Sequence, residues 1–535
     1  MHRSRLAAAA VLAVPALLAV TPTASAQSRP ATKRLVAQAL TGLGGRSAVT
    51  GLRAFRLQST GRTWILDEAP KPGDTPTPAS TFTQTLFYER NAAGIRLRAD
   101  NVRTSQGTAR RITEVVAGRL GYLSGVDANG GSPTTAAMTS DRWAAVRREQ
   151  RLLNPQLILR DVIARPQIAT TFRPTTINGR AHRVLLVRDD VAPIRLYIDS
   201  RTGAIDRLTT DDHDYQRRDV RILVDYRRWR SFGSGRARVR FPRSVSLKVD
   251  GVTIHTESRT SVRVNPAPSA ARFRFPAGVR ARFDSALAAR GARTTEWLMS
   301  FAQFGFPKDG PADRIVPVAV APGSTLIQGI ANNSMIIEQA NGIIVVEGAL
   351  DEARAEALIA YVQRTYPGKR IRYVTASHHH ADHSGGVRPF AALGATLVVH
   401  TAAVPLFQGV LGDRSSRLLP DRLDGTSGVA TIRTVSNGGV LTLTDPVRPV
   451  VVLAEPTTHA TTTILVYVPN EGVLFVNGDT YTPGGPFGPG AASLERTIEA
   501  NALHVNWIVG GHGTVVPYSA FRAGLGLPFL PALPS

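Results

Sequence analysis

Short runs in which apolar and polar residues alternate fill the stretch from residue 50 to residue 276, separated by Gly, Asn and Asp turns. Residues 83–90 and 221–226 are two such runs, and a period of two buries one face of a strand while exposing the other. This half is expected to be mainly antiparallel sheet. Residues 127–140 are rich in Gly, Ser, Thr and Ala and read as a loop. Residues 141–159 then show helical spacing, with Trp143, Val146, Leu152 and Leu153 on one side, so one helix is expected to interrupt the strands.

A second helix-like stretch around residues 286–304 leads into Pro307, Lys308, Asp309, Gly310 and Pro311, which read as a linker. Beyond Arg314 the texture changes. Apolar runs at 315–320, 334–338 and 342–347 precede a helical pattern at 351–366 and a strand at 370–374. Strands alternating with helices of this length indicate an α/β unit. The chain as a whole is therefore expected to be α+β: a mainly β domain over residues 27–280, a helical linker over 281–313 and a second domain over 314–535.

At the start, Arg3 and Arg5 precede an apolar run over residues 6–20, followed by Ala24, Ser25 and Ala26. This matches a secretory signal cleaved near Ala26, and the run, broken by Pro15, falls short of the roughly 20 residues a spanning helix needs. A secreted or periplasmic protein is expected. The absence of cysteine excludes thiolate metal sites, so any metal must be held by histidines and carboxylates.

The net charge of +24 suggests nucleic acid until its location is considered. Residues 1–300 carry about 49 Lys and Arg against 23 Asp and Glu, whereas residues 301–535 carry about 15 against 17. The basic character belongs to the first half, where arginine is spread along strand-like segments. That distribution reads as a solvated basic surface rather than a nucleic-acid groove, with contact to lipid or an anionic envelope surface as the partner it would suit.

Chemistry gathers in the second half. Directly after the strand at 370–374 stand His378, His379, His380, Asp382 and His383, a dense set of nitrogen and oxygen donors at a strand's end, suited to zinc or a similar metal. Residues two apart on an extended loop point the same way, so His378 and His380 can meet one ion while Asp382 and His383, past the turn, meet another. A histidine-rich tract alone could be non-catalytic. Here, however, eight of the twelve histidines follow residue 370, several at strand ends. His459, Asp479 and His512 each lie just past an apolar strand-like run, so four loops would converge at one sheet edge.

The pattern His-x-His-x-Asp-His at residues 378–383, followed in order by His459, Asp479 and His512, resembles the metallo-β-lactamase-fold hydrolase superfamily over roughly residues 314–525. The resemblance implies a four-layer αββα sandwich with the site at its edge. It further implies that His378, His380 and His459 hold a first metal, that Asp382, His383 and His512 hold a second, and that Asp479 bridges them. Two zinc ions per chain are expected, with manganese or iron also compatible. Such a pair activates water and polarises a carbonyl or phosphoryl oxygen, and Asp382 would orient the nucleophile. Superfamily enzymes that open β-lactams usually carry cysteine or serine near the bridging position, whereas Asp479 is similar to thioesterases, lactonases and phosphodiesterases. A hydrolase of an ester, thioester, lactone or phosphodiester small molecule is therefore expected ahead of a β-lactam hydrolase.

Three departures from the family pattern stand out. Glu347 replaces the usual Asp at its strand end, so support of the metal loop should differ. The loop carrying His459 lacks the common preceding glycine. The roughly 55 residues between His400 and Glu455 give room for a lid over the substrate pocket. Tyr481, two residues past Asp479, is a candidate phenol donor to a developing oxyanion, against a plain rim aromatic. His379 is expected to point away from the metals, and His400 and His504 to be packed or solvent-facing.

In the first half, the strand at 195–199 with Gly203, then Tyr226, Phe241-Pro242 and Phe275-Pro276, resembles curved-sheet domains of the outer-membrane lipoprotein carrier type. That resemblance implies a half-barrel whose concave apolar face holds an acyl chain or hydrophobic partner; the alternative is a sheet closed on its own helix. If the sheet held such a ligand, the metal domain could be accessory to a lipid-binding protein.

Overall fold

The computed structural model of the chain describes residues 30–528, apart from 67, 93, 129–130, 307–312 and 479. The residues read as a secretory signal, those read as a linker at 307–311, and Asp479 lie outside the described residues.

Among the described residues the first half forms one thirteen-stranded antiparallel sheet. Two meanders join where Ala54–Ile65 pairs with Val252–Val264, and the outer edges are Thr134–Ala137 and Ala169–Ile177. Alternation along each strand sets its faces: Phe55 and Leu57 are buried, and Arg56 and Gln58 between and beside them are only partly covered.

The apolar face is filled by the chain's own helices. Leu35 and Leu40 of the helix Pro30–Gly42, with Leu152, Ile158 and Val162, pack on Leu196, Ile198, Leu208 and Val224 of the sheet. Trp143, Val146 and Leu157 cover Leu57, Leu86 and Leu97 in the same way. Each such side chain contributes about 1.5–3 kcal/mol by burial, so vacating the face for an acyl chain would cost more than one ligand tail returns. Among the described residues, the apolar face of the sheet is thus covered by the chain's own helices.

The helix expected over residues 141–159 is two helices, Ser140–Leu153 and Pro155–Ala164. Pro155 disfavours helical geometry at Asn154 and then starts the second helix itself. The stretch read as a helical linker is likewise broken, into Ser285–Gly291, Thr295–Met299 and Phe301–Phe304. These pieces do not hang between domains. Ala288, Leu298 and Ala302 join the cluster around Trp143, while Trp297 and Phe301, stacked at 4.1 Å, pack with Ile65 and Ala79 of the N-terminal sheet and with Ala381 of the second domain.

Not all the arginines of this half are solvated. Arg142 is fully buried and pairs with Glu114 at 2.9 Å and with Asp127, and buried Arg103 reaches Glu114 at 3.1 Å. Some of the arginines thus lie inside, in ion pairs, and only the remainder form a basic surface.

The second half is an αββα sandwich. A seven-stranded sheet runs in chain order from Val316–Ala321 to Ile432–Val435, antiparallel at first and parallel from Gly342–Val346 through Ile371–Thr375 to Thr396–His400. A six-stranded sheet from Val440–Leu443 to Val515–Pro517 faces it. Ile337, Ile344 and Val346 of the first sheet meet Val452, Val466 and Phe475 of the second in the central layer. Helix Glu352–Thr365 covers the first sheet through Leu358, Ile359 and Val362, and helix Pro489–Ala500 covers the second through Leu494 and Ile498.

The segment with room for a lid is largely structural. It supplies helix Val404–Gly412 and three strands, and the loop between them is tied to the N-terminal domain. Buried Arg218 pairs with Asp421 at 2.7 Å, which Arg388 also holds at 2.6 Å, and Asp219 accepts the Arg417 amide at 2.7 Å.

Candidate metal centre

The site forms where the central strand Ile371–Thr375 ends. A loop carries Ser377 to His380, and the short helix Ala381–Ser384 presents Asp382 and His383. The following glycines let this turn press on its neighbour: a Cβ at Gly385 would lie 2.1 Å from the Leu350 carbonyl. The Asp382 carbonyl accepts the Leu350 amide at 2.9 Å, and the Ser377 carbonyl accepts the Ile464 amide at 2.7 Å, which fastens the loop to both sheets.

His459 arrives after the strand Val450–Ala454, and His512 after Trp507–Gly510. Gly478 has a φ of 89°, and a Cβ there would stand 2.6 Å from the His512 amide nitrogen, so glycine is required for the two loops to meet. Asp479, next in sequence, is outside the described residues.

Two donor sets result. His378, His380 and His459 bring ring nitrogens within 4.8 Å of one another, and so do His378, Asp382 and His383 with a carboxylate oxygen. His459 Nε2 is 2.9 Å from His380 Nδ1, and His383 Nε2 is 3.1 Å from His512 Nε2. Asp382 Oδ2 lies 3.4 Å from His383 Nε2 and 3.5 Å from His512 Nε2.

The far side of each ring fixes its tautomer. His383 Nδ1 faces Glu347 Oε1 at 3.2 Å, and His512 Nδ1 faces the Ala331 carbonyl at 3.0 Å. With both protons committed to those acceptors, the two Nε2 lone pairs point at each other, which a cation between them reconciles. His380 Nε2 faces the Ala69 carbonyl at 3.1 Å, leaving Nδ1 as its donor atom.

Burial, followed by the crowding of neighbouring imidazoles, pushes the pKa of His378 and His380 well below the ordinary value, so both are neutral donors. Burial works to raise the Asp382 pKa, but the His383 and His512 imidazoles beside it outweigh burial and keep the carboxyl below its usual range. Asp382 Oδ2 accepts from Asn332 Nδ2 at 2.9 Å, while buried Oδ1 has no hydrogen-bond partner among the described residues. A carboxylate with one oxygen beside imidazole nitrogens and the other orphaned fits a divalent cation.

Other candidates fall elsewhere. His379 Nδ1 meets Thr462 Oγ1 at 2.7 Å and its Nε2 meets the Ala69 carbonyl at 2.9 Å, on the side facing the N-terminal domain. His400 is buried, with Nε2 2.7 Å from Asn437 Oδ1. Tyr481, considered as an oxyanion donor, is buried between Phe487 at 5.2 Å and Phe521 at 4.8 Å, beneath the outer helices, and burial raises its phenol pKa.

Glu347 occupies its strand end with a φ of 69° and no exposure. Its longer side chain spans two duties, meeting His383 Nδ1 with one oxygen and accepting the Ser377 amide at 3.3 Å with the other. Support of the loop is therefore retained with a different reach.

With this geometry in place, one comparison bears directly on it. Residues 328–486 match the metallo-beta-lactamase superfamily. The matched stretch contains the first three donor loops, and the His512 loop follows it. Members of the superfamily are mostly metal-dependent hydrolases, and some are oxidoreductases. No curated protein matches the chain. Among solved structures, it is similar to the flavodiiron protein from Giardia intestinalis at 15% identity and a TM-score of 0.31, covering 40% of this chain and 58% of that one. The chain thus spans little more than half the length of that protein. It is similar to a metallo-beta-lactamase from Pontibacter korlensis at 13% identity and a TM-score of 0.30, covering 40% of this chain and 98% of that one. The sec-alkylsulfatase Pisa1 from Pseudomonas sp. is 16% identical with a TM-score of 0.28, covering 40% of each.

Several residues at the centre carry no sequence signal. Asn332 holds Asp382, Asn333 holds the His512 loop through the carbonyls of Gly510 and Gly513, and Gln216 of the N-terminal domain donates to the His379 carbonyl and to Ser384 Oγ. Only the paired asparagines before a buried strand could have drawn notice, as polar residues where the pattern wants a strand start.

Proposed function

We propose that the chain is a dinuclear metal-dependent hydrolase acting on an ester, thioester, lactone or phosphodiester. The observation that carries this reading is the pair of donor sets that share His378, with the far ring nitrogens of His380, His383 and His512 committed to Ala69, Glu347 and Ala331. Bound divalent ions would supply acidified water and an electrophile for a carbonyl or phosphoryl oxygen. His378, His380 and His459 would hold one ion, and Asp382, His383 and His512 the other, with Asp479 supplying the shared carboxylate.

The remaining work falls to residues of this chain. Ionised Asp382 is anchored through Oδ2 by Asn332, and its Oδ1, without a hydrogen-bond partner among the described residues, is available to orient a water and accept its proton. Glu347 and the Ala331 carbonyl hold His383 and His512 in the donor tautomer throughout.

A screen of zinc-loaded protein against chromogenic ester, lactone, phosphodiester, sulfate ester and β-lactam substrates tests the reading. Turnover of one of the first three classes is expected, and Asp382→Ala should reduce it by at least about a hundredfold, more than loss of a supporting residue costs. Full activity of that variant would refute the proposal, and turnover confined to the β-lactam would redirect it.

A further inference from the structure

The hairpin between strands Ala54–Ile65 and Thr77–Asn91 leaves the N-terminal sheet and ends against the metal centre. We propose that Glu68, on this hairpin, is an additional carboxylate ligand of that centre, contributed by the N-terminal domain; the inference rests on the metal-site reading above.

Glu68 Oε2 lies 3.2 Å from His380 Nδ1, the atom that also faces His459 Nε2 at 2.9 Å. Glu68, His380 and Asp382 place one donor atom each within 4.8 Å of one another, so the carboxylate enters on the side shared by both donor sets. The opposite nitrogen of His380 is committed to the Ala69 carbonyl at 3.1 Å. A neutral imidazole has one N–H. Once that proton goes to Ala69, the Nδ1 lone pair and the Glu68 carboxylate oppose each other unless a cation lies between them.

This approach is built rather than incidental, because the residues flanking Glu68 are pinned to both donor loops. The Ala69 carbonyl receives His379 Nε2 as well as His380 Nε2, at 2.9 and 3.1 Å. The Pro70 carbonyl accepts the amide and hydroxyl of Thr461, two residues past His459, at 2.8 and 3.1 Å. Thr77 Oγ1 donates to the Glu68 carbonyl at 2.6 Å and closes the hairpin on itself. At its root, Ile65 and Ala79 pack against Ala381, the residue between His380 and Asp382. The hairpin therefore moves with the metal loop, and its carboxylate stays in place. An oxygen donor beside imidazoles is compatible with zinc, manganese or iron.

The test uses the full chain, stripped by chelator and reloaded with cobalt(II) or zinc, as wild type, Glu68→Ala and the isosteric Glu68→Gln. Metal retained against a competing chelator and the visible spectrum of the cobalt form are read, neither of which depends on turnover. Both variants are expected to hold one ion at least about tenfold more weakly and to shift the cobalt spectrum, while the melting temperature of the stripped protein stays level or rises. Wild-type affinity and spectrum in Glu68→Gln would overturn the inference and leave the hydrolase reading standing. A wild type that binds neither metal would overturn both.

Discussion

The two donor sets of the metal centre are supported from different places. Asp382, His383 and His512 are held by Asn332, Glu347 and the Ala331 carbonyl, all within the metallo-beta-lactamase-like domain. His380 of the other set is oriented by the Ala69 carbonyl and approached by Glu68, and the loop carrying it is gripped by Gln216, all from the N-terminal sheet domain. One half of the centre is self-contained and the other is completed across the domain boundary. The N-terminal domain is therefore part of the site's scaffold, which explains why its hairpin and its Asp214–Arg218 turn, rather than its broad sheet face, meet the second domain.

This contrast can be broken selectively. The largest separation is expected from Glu347→Ala, which strips His383 of its partner and leaves the Ser377 amide buried without an acceptor. Metal affinity of the Asp382 set should fall roughly 10–100-fold, with the His378 set little changed, as read by sequential titration of stripped protein. Equal weakening of both ions would deny that the sets are independently supported.

Arg218→Ala attacks the other side. It removes a buried cation from Asp421 and Asp424 at the domain junction, and Arg388 remains to hold them. A stability loss near the low end of the 3–5 kcal/mol typical of a broken buried pair is expected in chemical denaturation, accompanied by weaker binding at the His380 set alone. Wild-type stability would show that the junction is not held there.

The smallest effect belongs to Tyr481→Phe. The ring stays packed between Phe487 and Phe521, so turnover and metal content should be unchanged and stability should shift by about 1 kcal/mol or less. A large drop in kcat would return the phenol to the chemistry.

What the chain makes legible follows from where function concentrates unusual residues. Histidines and carboxylates at strand ends are conspicuous against apolar β-runs, so the His378–His383 loop, His459 and His512 can be read directly, as can the sandwich that gathers them. The break at Asn154-Pro155 is also written in the sequence, because proline restricts the residue before it, yet helical spacing on both sides conceals it. The cross-domain contacts are not legible. The Ala69 and Pro70 contributions are backbone carbonyls with no residue signature, and Glu68 is one acidic residue in a turn, remote in sequence from His380. The burial of Arg103 and Arg142 escapes for the same reason: composition records a charge, and only pairing with Glu114 reveals that it lies inside.

The most direct test of the account is a zinc titration of chelator-stripped full-length protein, followed simultaneously by bound metal and by hydrolysis of the best chromogenic substrate from the screen. No turnover is expected without metal, and activity should rise until about two ions are bound per chain. Undiminished hydrolysis by the stripped protein, or saturation with no bound metal, would contradict it.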